Sequence, residues 1–445
     1  MKSTYNSTIR IIANNQDNDY FNPSNIIMEE PSIGTGFFID KNIIITCAHV
    51  IESAQTIYFN IPSISSNRHK AKIQGICPSL DLAILQSIDF ESEYFLDLHN
   101  SDNINLQEQI TVVGFPLGSD KLKVTKGIIS GSQDGYIQID SAINSGNSGG
   151  PLLNTEQKVI GIISSKVINA DNIGYAIPIN LLSIFKSNSV NKVYHSCNLL
   201  AKFSNTSEFR INQLNEINIE KHNKIISGQT VSKMSKMSPL KTIDINPFDL
   251  IIEIDNKVIS NYGEITTISG NGIKMNFTDY IERLIPGIEY QIKFFSIKER
   301  KIISAKIIFP TENNIGVKKI LPAFDQLNYI NVGGLILTPL TINAMETNNK
   351  IALRLRKYSS YVERFCPKVF VANIDPSSSF RLSENINAGD VINKINGKEI
   401  LTLDDVLEII DKTTNNKYIT IETKNNKIDT ISTDCIKNID IIKTI

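Results

Sequence analysis

A serine enclosed by glycines is the part of this sequence best suited to covalent chemistry. The string G-N-S-G-G occupies residues 146–150, between two apolar segments of strand character. Glycine has no Cβ, so the backbone can turn sharply and aim successive N–H groups at one point. A hydroxyl that attacks a carbonyl needs such donors about 3 Å from the oxyanion that forms. Ser148 is therefore a candidate nucleophile, with the amides of Gly146, Asn147 and Ser148 as candidate oxyanion donors; the alternative is a glycine turn with an incidental serine.

A histidine and an aspartate upstream supply the two other groups that a serine nucleophile needs. His49 follows an apolar strand, and Asp81 opens the apolar run D-L-A-I-L. Histidine takes up a proton near neutral pH, and a buried carboxylate can fix its tautomer and stabilise the imidazolium. A lone histidine is more often a packed residue, and a lone aspartate a turn residue. All three occur in the order His, Asp, Ser, which is one of the chain orders in which the catalytic triad recurs.

The same stretch contains competing acids and bases. Asp89, Asp97 and Asp102 are alternatives for the carboxylate, and His69 and His99 are alternatives for the imidazole. The preferred aspartate heads an apolar strand that can shield it from water, whereas the two rival histidines lie in polar surroundings.

Seven sequence blocks in a fixed order carry a resemblance to a known family. They are G-T-G-F-F-I at 34–39, T-C-A-H-V at 46–50, D-L-A-I-L at 81–85, V-V-G-F-P-L-G at 112–118, V-T-K-G-I-I-S at 124–130, I-N-S-G-N-S-G-G-P at 143–151 and N-I-G-Y-A-I-P at 172–178. With these blocks the sequence resembles the HtrA (Deg) serine proteases, which are trypsin-like enzymes followed by PDZ domains. The sequences of segments 111–118 and 143–151 are most similar to those of the plant-type Deg branch.

The resemblance implies a mainly β fold with a catalytic cleft between two barrels. A trypsin-like double β-barrel is expected over residues 31–190, after an N-terminal polar segment at 1–30. PDZ-like α+β domains are expected at 195–312 and 318–445. The sequence agrees with this, because short apolar strands separated by polar or glycine turns follow residue 34 and favour a sandwich or barrel.

The two PDZ-like segments contain an internal repeat. F-D-L-I-I-E-I-D-N-K-V-I at 248–259 corresponds to G-D-V-I-N-K-I-N-G-K-E-I at 389–400, and each copy is followed by a predicted helix, at 276–284 and at 403–411. PDZ domains cradle a terminal carboxylate on a glycine-rich loop. The corresponding loop of the first copy, at 197–201, has no glycine, which argues against carboxylate capture. In the plant-type branch the second copy tends to serve assembly; the alternative is a second peptide-binding copy.

The substrate pocket is inferred from the resemblance alone. By position, Ile143, Ser165, Lys166 and Val167 belong to the S1 pocket, which implies a small or medium apolar P1 side chain. For Ile143 and Val167, plain core packing is an equal alternative. The loop at 114–126 corresponds to a family loop whose conformation helps to switch the active site.

Length and composition limit the classes of protein to which the chain can belong. With 445 residues it exceeds one typical domain. A hydrophobic content of 41% and a net charge of −1 are ordinary for a folded chain, and nothing indicates nucleic acid or a membrane surface as partner. No P-loop string is present. We therefore expect no cofactor.

The five cysteines are odd in number, scattered and without a C-x-x-C pair. They predict neither a disulfide framework nor a zinc site, which favours a reducing compartment. Residues 1–30 lack the apolar core of a signal peptide, and no apolar run of about 18 residues occurs. These features predict an intracellular, cytoplasmic protein with no membrane span.

The sequence supports two hypotheses for function. The first is an ATP-independent serine endopeptidase that degrades unfolded or damaged proteins, with PDZ-like domains for substrate binding, regulation or assembly. The alternative is a chaperone or scaffold in which the protease fold is gated or weakly active. The resemblance also implies a homo-oligomer, a trimer or a multiple of trimers, and places Tyr20 and Phe21 where family members often carry trimer-interface aromatics.

Overall fold

The chain forms two compact units. The computed structural model describes residues 2–141, 143–164, 173–187, 192–235, 237–266, 274–311, 316–360, 363–412, 417–433 and 440–443. The first unit comprises Met1–Asn15 and Glu30–Glu312, and the second comprises Gln16–Glu29 and Asn313–Ile445. No helix of the described residues is long and apolar enough to cross a membrane.

The first barrel is a closed antiparallel sheet that carries the predicted base and acid. Its elements are α1 (Lys2–Ser7), β1 (Thr8–Asn18), β2 (Ile26–Met28), β3 (Ser32–Asp40), β4 (Ile43–Cys47), α2 (Ala48–Ile51), β5 (Ala54–Ile61), β6 (Ser65–Cys77) and β7 (Leu82–Ser87). The strand order is β2-β1-β3-β4-β7-β6-β5, and pairing of β1 with β5 closes the barrel. The expectation that residues 1–30 form a separate polar segment is therefore wrong, because the apolar positions of β1 belong to the barrel core.

The second barrel carries the predicted nucleophile. Its strands are β8 (Gln109–Gly114), β9 (Lys123–Gln133), β10 (Tyr136–Ile139), β11 (Pro151–Leu153), β12 (Val159–Ser164) and β13 (Gly174–Pro178), with 3-10 turns at Ser101–Asn103, Pro116–Gly118 and Ile179–Lys186. They close in the order β10-β13-β12-β11-β8-β9. Every residue of β12 is buried. The predicted mainly β, double-barrel fold is thus confirmed.

The rest of the first unit is a five-strand antiparallel path with two main helices. Its elements are β14 (Ala201–Ser204), α3 (Glu208–Ile217), β15 (Gln229–Met234), a 3-10 turn at Pro239–Ile243, β16 (Leu250–Ile254), β17 (Lys257–Val258), β18 (Glu264–Thr266), β19 (Lys274–Asn276), α4 (Phe277–Glu282), β20 (Glu289–Ser296) and β21 (Lys301–Ile308). The sheet order is β14-β15-β16-β20-β21. Helix α4 falls within the predicted 276–284.

The second unit has two four-stranded sheets. Its elements are β22 (Asn328–Val332), β23 (Leu335–Pro339), α5 (Ile342–Glu346), α6 (Lys350–Leu355), 3-10 turns at Arg356–Ser359 and Glu363–Phe365, β24 (Val369–Ile374), α7 (Ser379–Ser383), β25 (Ile392–Ile395), β26 (Lys398–Glu399), α8 (Leu403–Lys412), β27 (Tyr418–Thr423), β28 (Ile428–Ser432) and β29 (Asp440–Lys443). The sheet orders are β24-β23-β22-β29 and β26-β25-β27-β28.

The two copies of the internal repeat make the same backbone hydrogen bonds. The N–H of Phe248 donates to Val231 at 2.7 Å, and the N–H of Gly389 donates to Val371 at 2.7 Å. Both positions have positive φ, +75° at Phe248 and +90° at Gly389, so the phenylalanine adopts a conformation that suits glycine. These bonds make β24 the counterpart of β15, and β23 the counterpart of β14.

The hairpin that joins β1 to β3 contributes aromatic side chains to the core of the second unit. Tyr20 is 1% exposed and Phe21 is 9% exposed. Phe21 meets Phe370 edge-on at 6.0 Å between ring centroids, and the Tyr20 hydroxyl donates to Asp17 at 2.7 Å. The inference that these aromatics lie at a trimer interface is therefore wrong, since both rings are buried within their own chain.

We expect Phe21→Ala to destabilise the second unit by about 3 kcal/mol, because it removes a buried ring and leaves a cavity. Hydrogen exchange in β24, measured by mass spectrometry, reports the loss. Met28→Ala in the same hairpin is the control, because Met28 is 75% exposed and its loss should cost under about 0.5 kcal/mol. Equal exchange in the two variants would show that the hairpin is not part of this core.

Helix α4 brings acidic groups against the second barrel within the first unit. Arg283, directly after α4, pairs with Asp102 at 3.0 Å and donates to the carbonyl of Gly135 at 3.5 Å. Burial, and then the neighbouring Asp279 carboxylate, raise the pKa of Glu282 to about 7. Burial, and then Asp134, also raise the pKa of Asp279.

The raised pKa of Glu282 makes the stability of the first unit depend on pH. An unfolded glutamate ionises near pH 4.5, so between that pH and about 7 the folded chain keeps a proton that the unfolded chain has lost. The free energy of unfolding should fall as pH rises through this window, by on the order of 3 kcal/mol. Urea unfolding across the window should show this fall in wild type and in Glu299→Gln. In Glu282→Gln most of it should disappear, and a persistent fall would exclude Glu282 as its source.

Candidate active site

The candidate base is placed by the end of one strand of the first barrel. Strand β4 ends at Cys47, and His49 follows in the short helix α2. The backbone N–H of Ala48 donates to the carbonyl oxygen of Asp81 at 3.1 Å, and that of His49 donates to Asp81 Oδ1 at 3.0 Å. Two backbone N–H groups thus fix the histidine segment to Asp81, through its carbonyl and its carboxylate, before the imidazole is considered.

The side chains of His49 and Asp81 form a hydrogen-bonded pair in which the carboxylate is buried. His49 Nδ1 lies 2.9 Å from Asp81 Oδ1 and 2.8 Å from Asp81 Oδ2. The side chain of Asp81 is 2% exposed and that of His49 is 25% exposed. Ser164 at the end of β12 donates its hydroxyl to Asp81 Oδ2 at 2.8 Å. The carboxylate therefore holds the proton on Nδ1 and leaves Nε2 as the nitrogen that can accept another.

The loop that carries Ser148 is hydrogen-bonded to the first barrel through Thr35 of β3. The Thr35 N–H donates to the carbonyl of Ser148 at 2.8 Å, and its hydroxyl donates to the carbonyl of Gly146 at 2.6 Å. The next residue, Gly149, donates its N–H to Ile163 at 2.8 Å. Ser148 is 3% exposed. These bonds bring the nucleophile loop against the strands that precede His49.

Gly149 brings the backbone of this loop close to β3 and β4. Its φ is +86°, and a Cβ placed there would lie 2.1 Å from the carbonyl oxygen of Thr35 and 2.3 Å from Oγ1 of Thr46. The Thr46 hydroxyl donates to that same carbonyl at 2.8 Å. Only glycine fits this position, because both the space and the backbone conformation exclude a side chain.

The expected oxyanion donors are not equivalent. The N–H of Asn147 donates to the carbonyl of Asn144 at 3.0 Å, so it is engaged within the turn. Gly146 has φ +93°, and a Cβ there would lie 2.3 Å from the carbonyl oxygen of Phe115. Of the three predicted donors, Asn147 is therefore the one whose N–H is already engaged within the turn.

The loop at 114–126 contacts the nucleophile loop directly. The N–H of Leu117 donates to the carbonyl of Ser145 at 2.6 Å, and Leu117 has φ +55° and is 80% exposed. Arg10 of β1 donates from Nη2 to the carbonyl of Gly118 at 3.0 Å. A conformational change in the loop at 114–126 would therefore act on Ser145, the residue before Gly146.

The rival acids and bases lie elsewhere. His69 Nδ1 is 3.7 Å from Asp89, and Asp102 pairs with Arg283. Asp97 is exposed, and the backbone N–H of His99 donates to Val159 at 2.8 Å. The only cluster of three metal-donor side chains in the described part of the chain is Cys47, His49 and Asp81, whose donor atoms lie within 4.8 Å of one another. Two of these three, His49 and Asp81, are already hydrogen-bonded to each other.

Of the four residues predicted to form the substrate pocket, Ile143 is among the described residues. Ile143 is half-buried, packs against the core of the second barrel, and would contact a Cβ on Gly174 at 2.5 Å through its Cδ1. This packing agrees with the core alternative for Ile143. Ser165, Lys166 and Val167 lie outside the described residues.

Ser164, Thr35 and Thr46 are site residues that the sequence reasoning missed. Thr35 lies inside the G-T-G block and Thr46 two residues before Ala48, so both stood within recognised motifs. Their roles depend on contacts across 11 to 111 positions of sequence, which no local pattern reveals.

We expect Gly149→Ala to lose fluorophosphonate labelling of Ser148 and to destabilise the first unit by at least about 2 kcal/mol through overpacking. Gly135→Ala is the matched control: its φ is +81°, but its nearest neighbour, Cβ of Asp279, lies at 3.5 Å. The control should show only the cost of the left-handed conformation, about 1 kcal/mol. Urea unfolding and labelling of both variants measure the difference, and similar losses would contradict the close approach at Gly149.

Comparisons with known proteins agree with this geometry. A family model described as a trypsin-like peptidase domain matches residues 34–162. Putative protease Do-like 3, mitochondrial, of Arabidopsis thaliana is 30% identical over 274 residues, which cover 58% of this chain and 47% of that protein. Serine protease Do-like HtrA of Bacillus subtilis is 28% identical over 285 residues, which cover 58% of this chain and 62% of that protein.

Solved structures show the same fold. A variant of the HtrA-type protease AlgW, solved with a decapeptide, has a TM-score of 0.52 at 20% identity, and the match covers 70% of this chain and 96% of that one. This chain spans between 47% and 62% of the length of four curated relatives, which carry Do-like or DegP-like protease names.

Proposed function

We propose that this chain is a serine endopeptidase of the Do-like, or HtrA, type, in which Ser148 is the nucleophile, His49 the general base and acid, and Asp81 the group that orients the histidine. The observation that carries the proposal is the Asp81 carboxylate, buried and bonded to both the backbone and the ring of His49. A buried carboxylate in this position sets the tautomer that a serine hydroxyl needs.

The proposed reaction is acyl transfer to Ser148 followed by hydrolysis. His49 Nε2 accepts the proton of the Ser148 hydroxyl while Oγ bonds to the scissile carbonyl carbon. The N–H groups of Gly146 and Ser148 hold the oxyanion. The imidazolium then returns the proton to the leaving amine, and the C–N bond breaks. Water, activated by the same nitrogen, releases the acyl group and restores the serine. No cofactor takes part in these steps.

The proposed substrates are unfolded or damaged proteins, cleaved without ATP. The AlgW variant bound to a decapeptide supports a peptide ligand for this fold. A homo-oligomer, a trimer or a multiple of trimers, remains part of the proposal on the strength of the family alone, because Tyr20 and Phe21 do not support it. Light scattering after size exclusion measures the state.

A cytoplasmic location is also part of the proposal. Cys47, Cys77, Cys197 and Cys366 form no disulfide, which agrees with a reducing compartment. Some relatives have mitochondrial or periplasmic names, so cell fractionation with an antibody to this protein is the test that decides its compartment.

The alternative is a chaperone or scaffold that binds unfolded chains and does not cleave them. Phe115 and Leu117 contact the loop that carries Ser148, and a rearrangement there would gate the oxyanion donors. A protein that binds unfolded substrate but never labels with a fluorophosphonate would favour this alternative.

We expect Ser148→Ala to abolish casein cleavage and fluorophosphonate labelling and to leave the fold unchanged, because it removes one oxygen from the nucleophile. Ser145→Ala, three residues earlier in the same loop, is the control and should keep both activities, since Ser145 is exposed and accepts the bond from Leu117 through its backbone carbonyl. Cleavage assays, mass spectrometry of the labelled peptide and circular dichroism measure these outcomes. Cleavage by Ser148→Ala at the wild-type rate would end the proposal.

A further inference from the structure

One face of helix α6 in the second unit is exposed. The helix (Lys350–Leu355) continues into the 3-10 turn at Arg356–Ser359. Its opposite face is buried, because Ala352 and Leu355 are 0% exposed and Tyr358 is 6% exposed. The exposed side chains recur three and four positions apart, which is the spacing of one helical face. We call them the α6 face, which consists of Lys350, Leu353, Arg354 and Lys357.

The segment around the α6 face has an excess of positive charge that the net charge of the chain hides. Residues 341–360 contain four cationic side chains and one acidic side chain, a local balance of +3, whereas the whole chain has a net charge of −1. The cations are Lys350, Arg354, Arg356 and Lys357, and the acid is Glu346. Within the described part of the chain, no ion pair joins any of these cations to a carboxylate. An anionic partner would therefore meet charges that no acidic side chain has already paired.

Neutral groups hold two of these cations in place. Nε of Arg356 donates to the carbonyl of Met345 at 3.1 Å. Nζ of Lys357 donates to Oδ1 of Asn425 at 3.0 Å. These bonds restrict the side chains without cancelling their charge, so part of the cationic surface is ordered before any partner binds.

Lys350 is unfavourable for the helix that carries it. It is the first residue of α6, where the partial positive charge of a helix N-terminus favours acidic side chains. The first turn contains no acidic residue, and the side chain of Asn349 caps the helix by accepting from the N–H of Ala352 at 2.7 Å. Helix stability therefore explains Arg354, in the last turn, and does not explain Lys350.

Leu353 lies among the cations of the α6 face and is 57% exposed. A partner that matches this face must offer negative charge and an apolar layer side by side. Single-stranded nucleic acid gives a leucine little to contact, because its bases stack on aromatic side chains. An anionic bilayer offers both features, since its charged headgroups lie directly above acyl chains. The combination of charge and leucine therefore favours a membrane surface.

We propose that the α6 face docks the second unit on an anionic lipid bilayer, with Leu353 in the interface and the three cations against the headgroups. The docking goes beyond the proposed peptidase activity and does not depend on it. One leucine and a few cations give weak, reversible binding that salt suppresses. Such binding would concentrate the protein at a membrane surface, and the anionic leaflet of a cell membrane is the cytoplasmic one.

The test is co-sedimentation of the full-length protein with sucrose-loaded vesicles. One set of vesicles is phosphatidylcholine alone, and the other contains about 30% phosphatidylserine, which supplies the negative surface potential. At about 0.1 M salt the protein should bind the phosphatidylserine vesicles at least about tenfold more tightly than the neutral ones. At about 0.5 M salt this preference should largely disappear, because the charges are then screened.

Lys350→Glu separates membrane binding from folding. It changes the charge of the α6 face by two and should weaken binding to phosphatidylserine vesicles about twentyfold. An acidic residue suits the start of a helix, so urea unfolding should show a second unit at least as stable as in wild type. Lys398→Glu is the matched control, because Lys398 is exposed on β26 of the same unit, and it should weaken binding less than about threefold.

Leu353→Ala measures the apolar part of the contact. It should weaken vesicle binding about fivefold, because less apolar surface enters the interface. Leu382→Ala is its control: Leu382 is 84% exposed, in helix α7, and its loss should change binding less than about twofold.

Several results would overturn the proposal. These are failure to bind phosphatidylserine vesicles, equal binding to both kinds of vesicle, and equal losses in Lys350→Glu and Lys398→Glu. Unchanged vesicle binding by Leu353→Ala, with equally tight binding of wild type to polyglutamate, would identify an acidic polypeptide as the partner instead. Casein cleavage without vesicles should be the same in all four variants. Loss of vesicle binding with intact cleavage therefore contradicts only the docking face, and loss of wild-type cleavage with intact vesicle binding contradicts only the endopeptidase assignment.

Discussion

The hydrogen bonding between Asp81 and His49 is the interaction on which the rest of the structure depends. A carboxylate at 2% exposure is costly to bury unless its oxygens are bonded. Asp81 meets that requirement with the backbone and ring of His49 and with the hydroxyl of Ser164. The ring belongs to the first barrel and the hydroxyl to the second. One buried charge therefore both ties the barrels together and fixes the orientation of the imidazole.

Glycine allows the second half of the site to form. The loop of Ser148 approaches β3 and β4 through Gly149, and it approaches Phe115 through Gly146. At both positions a Cβ would overlap a carbonyl oxygen, so the string G-N-S-G-G reflects backbone contacts with two neighbouring segments as well as a sharp turn. The hydroxyl of Thr35 then joins the loop to the first barrel, and the hydroxyl of Thr46 donates to the carbonyl of Thr35 within that barrel. The same packing that holds the nucleophile loop leaves no room for a Cβ at Gly146 or Gly149.

The sequence predicted the catalytic chemistry better than it predicted the contacts between distant segments. His49, Asp81 and Ser148 stood in recognisable blocks, and the barrel strands followed from short apolar runs. The role of β1 was missed because its polar neighbours hid a barrel strand. Tyr20 and Phe21 were misplaced because the core that they join includes Phe370, which lies about 350 positions away. The turn at Phe248 was not recognisable from the sequence, because the second copy of the repeat has a glycine, Gly389, at the corresponding left-handed position.

The most direct measurement of the central claim is the rate of fluorophosphonate labelling at Ser148 in His49→Ala, in Asp81→Ala and in the double variant, with mass spectrometry to locate the label. If the two residues act as one unit, each single change slows labelling by about a thousandfold or more, and the double variant is hardly slower than His49→Ala. Losses that multiply in the double variant, or labelling unaffected by the loss of His49, would contradict the account.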